Sequence, residues 1–187
     1  VQGGVDQLKA KAGDAAAPDG HDFSDAVWSD VYECLEIYGR GETVNPVNKA
    51  SLKMEPRVTT IVKGHTITKQ PRVFCATPNS DVIIGRMFLL PVFEFYKREL
   101  STFGCCVGLN ATSSDWGRLR QLFEGRYNTT FGTDISGFDT RMPVQVKVIA
   151  NAILLDLAKR MGYNEESLTV LRGYLTDTLE PVILMKN

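Results

Sequence analysis

Apolar positions in the first third of the chain fall into helical register from residue 24 onward. Val27, Val31, Leu35 and Tyr38 recur every three to four residues behind Ser24, a good N-cap residue, and Gly39 supplies a stop. This predicts an amphipathic helix. Residues 1–20 lack any such period and carry Gly3-Gly4, Gly13 and Ala15-Ala-Ala-Pro18, so they read as a loosely ordered arm. Between residues 51 and 76 the period shortens to two, which predicts a β-ribbon with arms over 57–62 and 66–74 around Lys63-Gly64-His65. A long apolar helix opens at Asp81, and Pro91 is expected to kink or interrupt it before Leu100. Residues 104–110 link it to a helix opened by Ser113 or Ser114 that carries Trp116, Leu119 and Phe123. Residues 129–135 read as a short strand. Pro143, at a first helical position, starts a helix to Met161, with Lys159 and Arg160 in its last turn and Gly162 beyond. Apolar residues on most of its sides predict that it is largely buried. Asn164, Glu165 and Glu166 open a last helix with a stripe of Leu168, Leu171, Leu175 and Leu179, and residues 181–185 form a final strand. No internal repeat is present.

Composition narrows this to an ordinary globular α+β chain. Its 187 residues are 43% apolar and 23% charged, enough for one domain or two partial subdomains, which excludes disordered, collagenous and coiled-coil classes. The richest apolar run, 82–95, is broken by Arg86, Pro91 and Glu94, so no transmembrane segment is expected. The chain starts at Val1 without a Met or a signal layout and reads as a segment of a longer product. Cys34, Cys75, Cys105 and Cys106 show no CxxC spacing, and His21 and His65 stand apart from any cysteine pair. Reduced thiols in a cytosolic compartment are expected, and structural zinc is not.

Net charge is −1 but is strongly segregated. Residues 1–39 hold two basic against eight acidic side chains, a net of −6, whereas residues 40–126 hold thirteen against seven, a net of +6. The excess is densest over 49–72, where Lys49, Lys53, Arg57, Lys63, Lys69 and Arg72 face only Glu55. Such a stretch is either a solvated strand face or a polyanion-binding surface.

The segment Gly132-Thr-Asp-Ile-Ser-Gly-Phe-Asp139 decides between these. It places Asp134 near the predicted strand's end and Asp139 five residues on, before a helix. A bare pair of aspartates fits a helix cap or a turn equally well. A carboxylate beside main-chain carbonyls can also hold Mg²⁺ together with substrate phosphates, and Gly137 lets the backbone turn so that both acids face one cleft.

Asp134-Ile-Ser-Gly-Phe-Asp139 resembles motif A (DxSGxD) of the RNA-dependent RNA polymerases of picorna-like viruses. The resemblance implies that Asp134 is catalytic and binds the metal, with the Ile135 carbonyl beside it, and that Asp139 recognises the ribose 2′-hydroxyl of the incoming nucleotide. It implies Mg²⁺, or Mn²⁺ in its place, as cofactor. Upstream, Lys49-Ala-Ser-Leu-Lys53 and Lys69-Gln-Pro-Arg-Val-Phe74 are similar to the two parts of that family's motif F, whose basic residues grip the triphosphate and the RNA. By that likeness Arg72, Lys69, Lys63, Lys53 and Lys49 take this role. Arg72 suits it best, because a planar guanidinium binds phosphate oxygens in pairs. Gln70-Pro71 lengthens the family's spacing between Lys69 and Arg72. Gly104-Cys-Cys-Val-Gly-Leu-Asn110 with Asp115-Trp116 also looks like the family's approach to the palm.

What the resemblance implies is an α+β fragment of a right-hand polymerase, mostly helical, with a basic fingers ribbon and the first palm strand. Residues 1–126 would be fingers, with the arm at 1–20 and the motif F ribbon at 49–76, and residues 127–187 the start of the palm. RNA template and primer, ribonucleoside triphosphates and other viral replication proteins would be its partners, at membrane-associated replication complexes in the host cytoplasm. Neither the SGxxxTxxxN stretch of motif B nor the GDD of motif C occurs, so this piece alone is expected to be inactive. Two other readings are a reverse transcriptase palm, whose acidic motif lacks the serine–glycine pair, and a non-catalytic RNA-binding module using the basic ribbon with Phe74 and the aromatics of 88–96.

Overall fold

The computed structural model describes residues 8–10, 21–53, 59–62, 65–68, 72–110, 112–125, 129 and 131–185. The chain divides into two compact units, Val1–Arg86 together with Asn164–Asn187, and Met87–Tyr163. It is α+β and mostly helical, and none of its described helices is long and apolar enough to cross a membrane.

In the first unit, β1 (Leu8–Ala10) pairs antiparallel with β2 (His21–Phe23), and helix α1 (Asp25–Gly39) follows. Most of the arm expected over 1–20 lies outside the described residues. Ser24 takes the N-cap position with extended backbone but makes no side-chain bond to the helix. The far end differs from expectation. Gly39 stays inside the last turn, and Gly41, at φ +78°, reverses the chain. The Gly41 N–H donates to the Tyr38 carbonyl at 2.9 Å and the Glu42 N–H to the Ile37 carbonyl at 3.2 Å, the bond pair that closes a helix through a left-handed glycine.

The middle of the first unit is the expected basic ribbon, in two antiparallel pieces. Strand β3 (Val47–Leu52) pairs with β6 (Val73–Ala76), and between them in sequence β4 (Thr59–Val62) pairs with β5 (His65–Thr68). The Lys53 N–H donates to the Arg72 carbonyl at 2.8 Å, carrying the β3–β6 ladder one step further. On its other edge β3 pairs in parallel with β7 (Val182–Leu184), the expected final strand, so the sheet order is β6-β3-β7.

Helix α1 packs on the last helix, labelled α7 (Glu165–Asp177) in chain order. Val27, Val31 and Tyr38 from α1 and Leu168, Leu171 and Leu175 from α7 are buried, with Ile84 joining them from α2 (Asn79–Arg98). Each such side chain contributes roughly 1.5–3 kcal/mol by leaving water. Two glycines allow the close approach. A Cβ on Gly173 would stand 2.7 Å from the Tyr38 ring and 2.9 Å from the Glu42 carbonyl, and one on Gly85 would overlap the Tyr174 hydroxyl. The Tyr38 and Tyr174 rings meet edge to face at 6.2 Å. Asn164 caps α7, its side chain accepting the Ser167 N–H at 2.8 Å.

The second unit begins inside α2, which runs through Pro91 without interruption. Pro91 has no N–H for the Met87 carbonyl, and the Tyr163 hydroxyl donates to the neighbouring Phe88 carbonyl at 2.8 Å. Next come α3 (Leu100–Phe103), α4 (Asp115–Glu124), α5 (Phe138–Arg141) and α6 (Val144–Arg160). Leu89, Val92, Leu119 and Ala158 are buried here, and Phe103 meets Phe95 and Tyr96 at 5.6 and 4.3 Å. Gly162, at φ +92°, ends α6 as expected, with the Tyr163 N–H donating to the Ala158 carbonyl at 3.2 Å.

Two expectations fail in this unit. Helix α6 is not largely buried, because only Ala158 is fully buried and Leu154, Leu155 and Leu157 are half-buried, while Val146, Val148, Ile149 and Ile153 are exposed and Pro143 precedes the helix as its N-cap. A helix apolar on most sides needs several covering surfaces, and the described residues provide one. Nor do the described residues of 129–135, Thr129 and 131–135, form the expected strand. Residues 131–135 have no ladder partner among the described segments, and β-type side chains alone do not hold a strand without one.

Candidate functional site

In the second unit the motif A residues lie on a turn rather than on a strand. Asp134 and Ile135 are exposed in irregular backbone, followed by a turn at Ser136-Gly137 and the single helical turn α5. Gly137 makes this possible. It takes the left-handed conformation, φ 64° and ψ 34°, where a side chain would strain the backbone by roughly 1–2 kcal/mol. The Arg141 N–H then donates to the Gly137 carbonyl, and the Met142 N–H to that of Phe138, both at 3.0 Å. Asp139 follows on α5. The donors at Asp134 and Ile135, one carboxylate and one carbonyl, are hard oxygens that fit part of the ligand set of Mg²⁺, which takes one or two carboxylates with phosphates and waters. Among the described residues no three His, Cys, Asp or Glu side chains converge to complete a metal site.

In the first unit the ladder register gathers the basic residues. Lys49 lies opposite Ala76, and Lys53 continues the same register opposite Arg72. Side chains alternate along a strand and directly opposed residues share a face, so Lys49, Lys53, Arg72 and Phe74 belong to one face of the β6-β3 pair. All four are exposed. Lys63 and Lys69 lie outside the described residues.

The sequence reading missed Asp81 and Asp177. Asp177 is buried at the end of α7, where its Oδ2 accepts the Tyr38 hydroxyl at 2.8 Å and the N–H groups of Val44 and Asn45 at 2.9 and 3.1 Å. It thereby fixes the loop that leads into β3. Burial, then this bond, pushes the Tyr38 hydroxyl far above the ordinary tyrosine range. Burial followed by the charge of Asp177 raises the Asp81 carboxyl to about 6, and burial raises Tyr174 to about 12. One signal was available: an acid in the last turn of a helix opposes the helix dipole and needs a partner that outweighs it.

The viral RNA-dependent RNA polymerase family matches residues 5–187, nearly the whole chain, and the chain belongs to that family. It is similar to the replicase polyprotein of Drosophila C virus (strain EB), 27% identical over 122 residues. The matched segment takes in 65% of this chain and 7% of that polyprotein's length. Membership of the viral RNA-dependent RNA polymerase family sets the reverse transcriptase and RNA-binding-module readings aside. Polymerases of this family work with divalent metal ions.

Proposed function

We propose that this chain supplies the triphosphate-gripping ribbon and the first metal-binding aspartate of an RNA-directed RNA polymerase that copies a viral RNA template from ribonucleoside triphosphates. The observation that carries this reading is the exposed Asp134 on a turn that only a left-handed Gly137 allows, inside a sequence of the polymerase family. Asp134 and the Ile135 carbonyl hold Mg²⁺, or Mn²⁺. When bound, the metal pair supplies activation of the attacking 3′-hydroxyl and charge stabilisation of the leaving pyrophosphate. Asp139 accepts a hydrogen bond from the ribose 2′-hydroxyl, the group that separates RNA from DNA precursors. Arg72 binds phosphate oxygens in pairs, while Lys49, Lys53, Lys63 and Lys69 act as point charges along the triphosphate and RNA.

In this reading residues 1–126 are fingers, with the motif F ribbon at 49–76, and residues 127–187 begin the palm. Template and primer RNA and other viral replication proteins are its partners, at membrane-associated replication complexes in the host cytoplasm. Without a GDD string among its 187 residues, the chain alone has too few carboxylates for turnover. The test is sugar selection by the complete polymerase. Asp139→Asn should lower the preference for ribonucleotides over deoxyribonucleotides by about tenfold or more, the value of one lost charge-assisted bond, while leaving the metal requirement unchanged. Unchanged sugar selection would remove Asp139 from the ribose.

A further inference from the structure

A cavity of about 240 Å³ in the first unit is lined by Pro46, Asn48, Thr77, Asp81, Tyr174, Asp177, Thr178 and Pro181. It belongs to α7, the start of α2 and the loops flanking β3 and β7, far along the chain from motif A. Two carboxylates face it, and no Lys, Arg or His lines it. The two oxygens of Asp177 are used unequally: Oδ2 takes three donors, whereas Oδ1 is buried and has no hydrogen-bond partner among the described residues. Asp177 is 8% exposed, so bulk water does not serve that oxygen. An unpaired carboxylate oxygen in such a place calls for a positive or donating ligand.

From this cavity we infer that the first unit binds a hard divalent cation, held by Asp177 Oδ1 and the Asp81 carboxylate with the neutral oxygens of the lining completing its shell. Every side-chain donor there is oxygen, from Asn48, Thr77, Tyr174 and Thr178 besides the two acids, which suits Mg²⁺ or Ca²⁺ and not softer metals. The volume leaves room for several waters at about 30 Å³ each, so either ion can stay partly hydrated. Bound there, the ion ties the end of α7 to the start of α2 and, through Asp177 Oδ2, to the loop before β3.

The test titrates the 187-residue chain with Tb³⁺, which replaces such ions, reading emission sensitised by nearby tyrosine, with Ca²⁺ and Mg²⁺ as separate competitors. It is run in an Asp134→Asn background, so that failure here and failure of the motif A reading are distinguishable. A single saturable site that persists in this background, weakens at least tenfold in Asp81→Asn and is competed by one of the two ions supports the inference and says which ion it takes. Thr77→Val is the second variant, expected to weaken binding less and to leave Asp177 untouched. Binding that vanishes with Asp134→Asn, or that ignores Asp81→Asn, overturns it. So does the absence of binding to the folded chain at millimolar ion, which would leave the cavity to water or a shared proton.

Discussion

Asp177 is held by three donors inside the first unit, and Asp134 stands exposed on a turn of the second, although both carry the same carboxylate. The backbone around them is spent in opposite ways. Asp177 fixes a loop and the ring of Tyr38 beneath it, and two glycines, Gly85 and Gly173, let the helices close around it. Around Asp134 the one special residue, Gly137, opens a turn and buries nothing. The Asp177 Oδ2, whose lone pairs are taken by its own chain, serves the fold whatever Oδ1 binds, and the Asp134 carboxylate, left open beside a built turn, is available to a ligand.

The largest effect expected from this contrast is on stability. Asp177→Ala leaves the Tyr38 hydroxyl and two backbone N–H groups without their acceptor, and should destabilise the chain by about 3 kcal/mol or more in urea melts. Asp134→Ala should change stability by no more than about 0.5 kcal/mol, as at other exposed sites. Equal losses would dissolve the distinction between the two acids.

Next comes the basic face. In the complete polymerase, Arg72→Ala should raise the apparent KM for nucleotides by about tenfold to a hundredfold, the range set by one charge-assisted contact of roughly 1.5–3 kcal/mol. Arg72→Lys should recover only part, because a point charge cannot make the paired contact. Steady-state kinetics at fixed salt decide this, and a KM within twofold of wild type would return the ribbon to a solvated face.

The smallest effect is a pH dependence at Asp81. Its folded carboxyl is raised from 3.8 to about 6, first by burial and then by Asp177, so the native state binds the extra proton between pH 4 and pH 6. Stability from this group is therefore present below about pH 4 and is lost as pH rises through 6. Asp81 is only half-buried, and solvent screening reduces the loss to about 1 kcal/mol. Urea melts across pH 4–7 in EDTA should show that decline in wild type and not in Asp81→Asn. A decline of the same size in both would assign it to other groups.

Much of this was legible because it is local. The α1 stripe, the Asn164 cap and the Gly162 stop each depend on residues within one or two turns, and the basic ribbon announced itself by alternation between sequence neighbours. A backbone turn at Gly137 was foreseen from the two acids on either side of it. What was not legible is non-local. Nothing near Val47 tells that it pairs with Val182, or that Asp177 serves Val44 and Asn45, because those partners lie more than a hundred residues apart. The strand expected over 129–135 failed for the same reason, since its missing ladder partner could not be read from neighbouring residues. Gly85 and Gly173, each costly inside a helix by about 1 kcal/mol, were a readable hint of close packing.

The most direct measurement is template-directed incorporation by the complete polymerase carrying Asp134→Asn, made alongside its thermal melt. A carboxylate reserved for the metal predicts turnover at least about a thousandfold below wild type, with a melting temperature within about 2 °C of it. Turnover within tenfold of wild type, or a loss of activity that merely follows a loss of folding, would contradict the assignment of Asp134 to the ligand rather than to the fold.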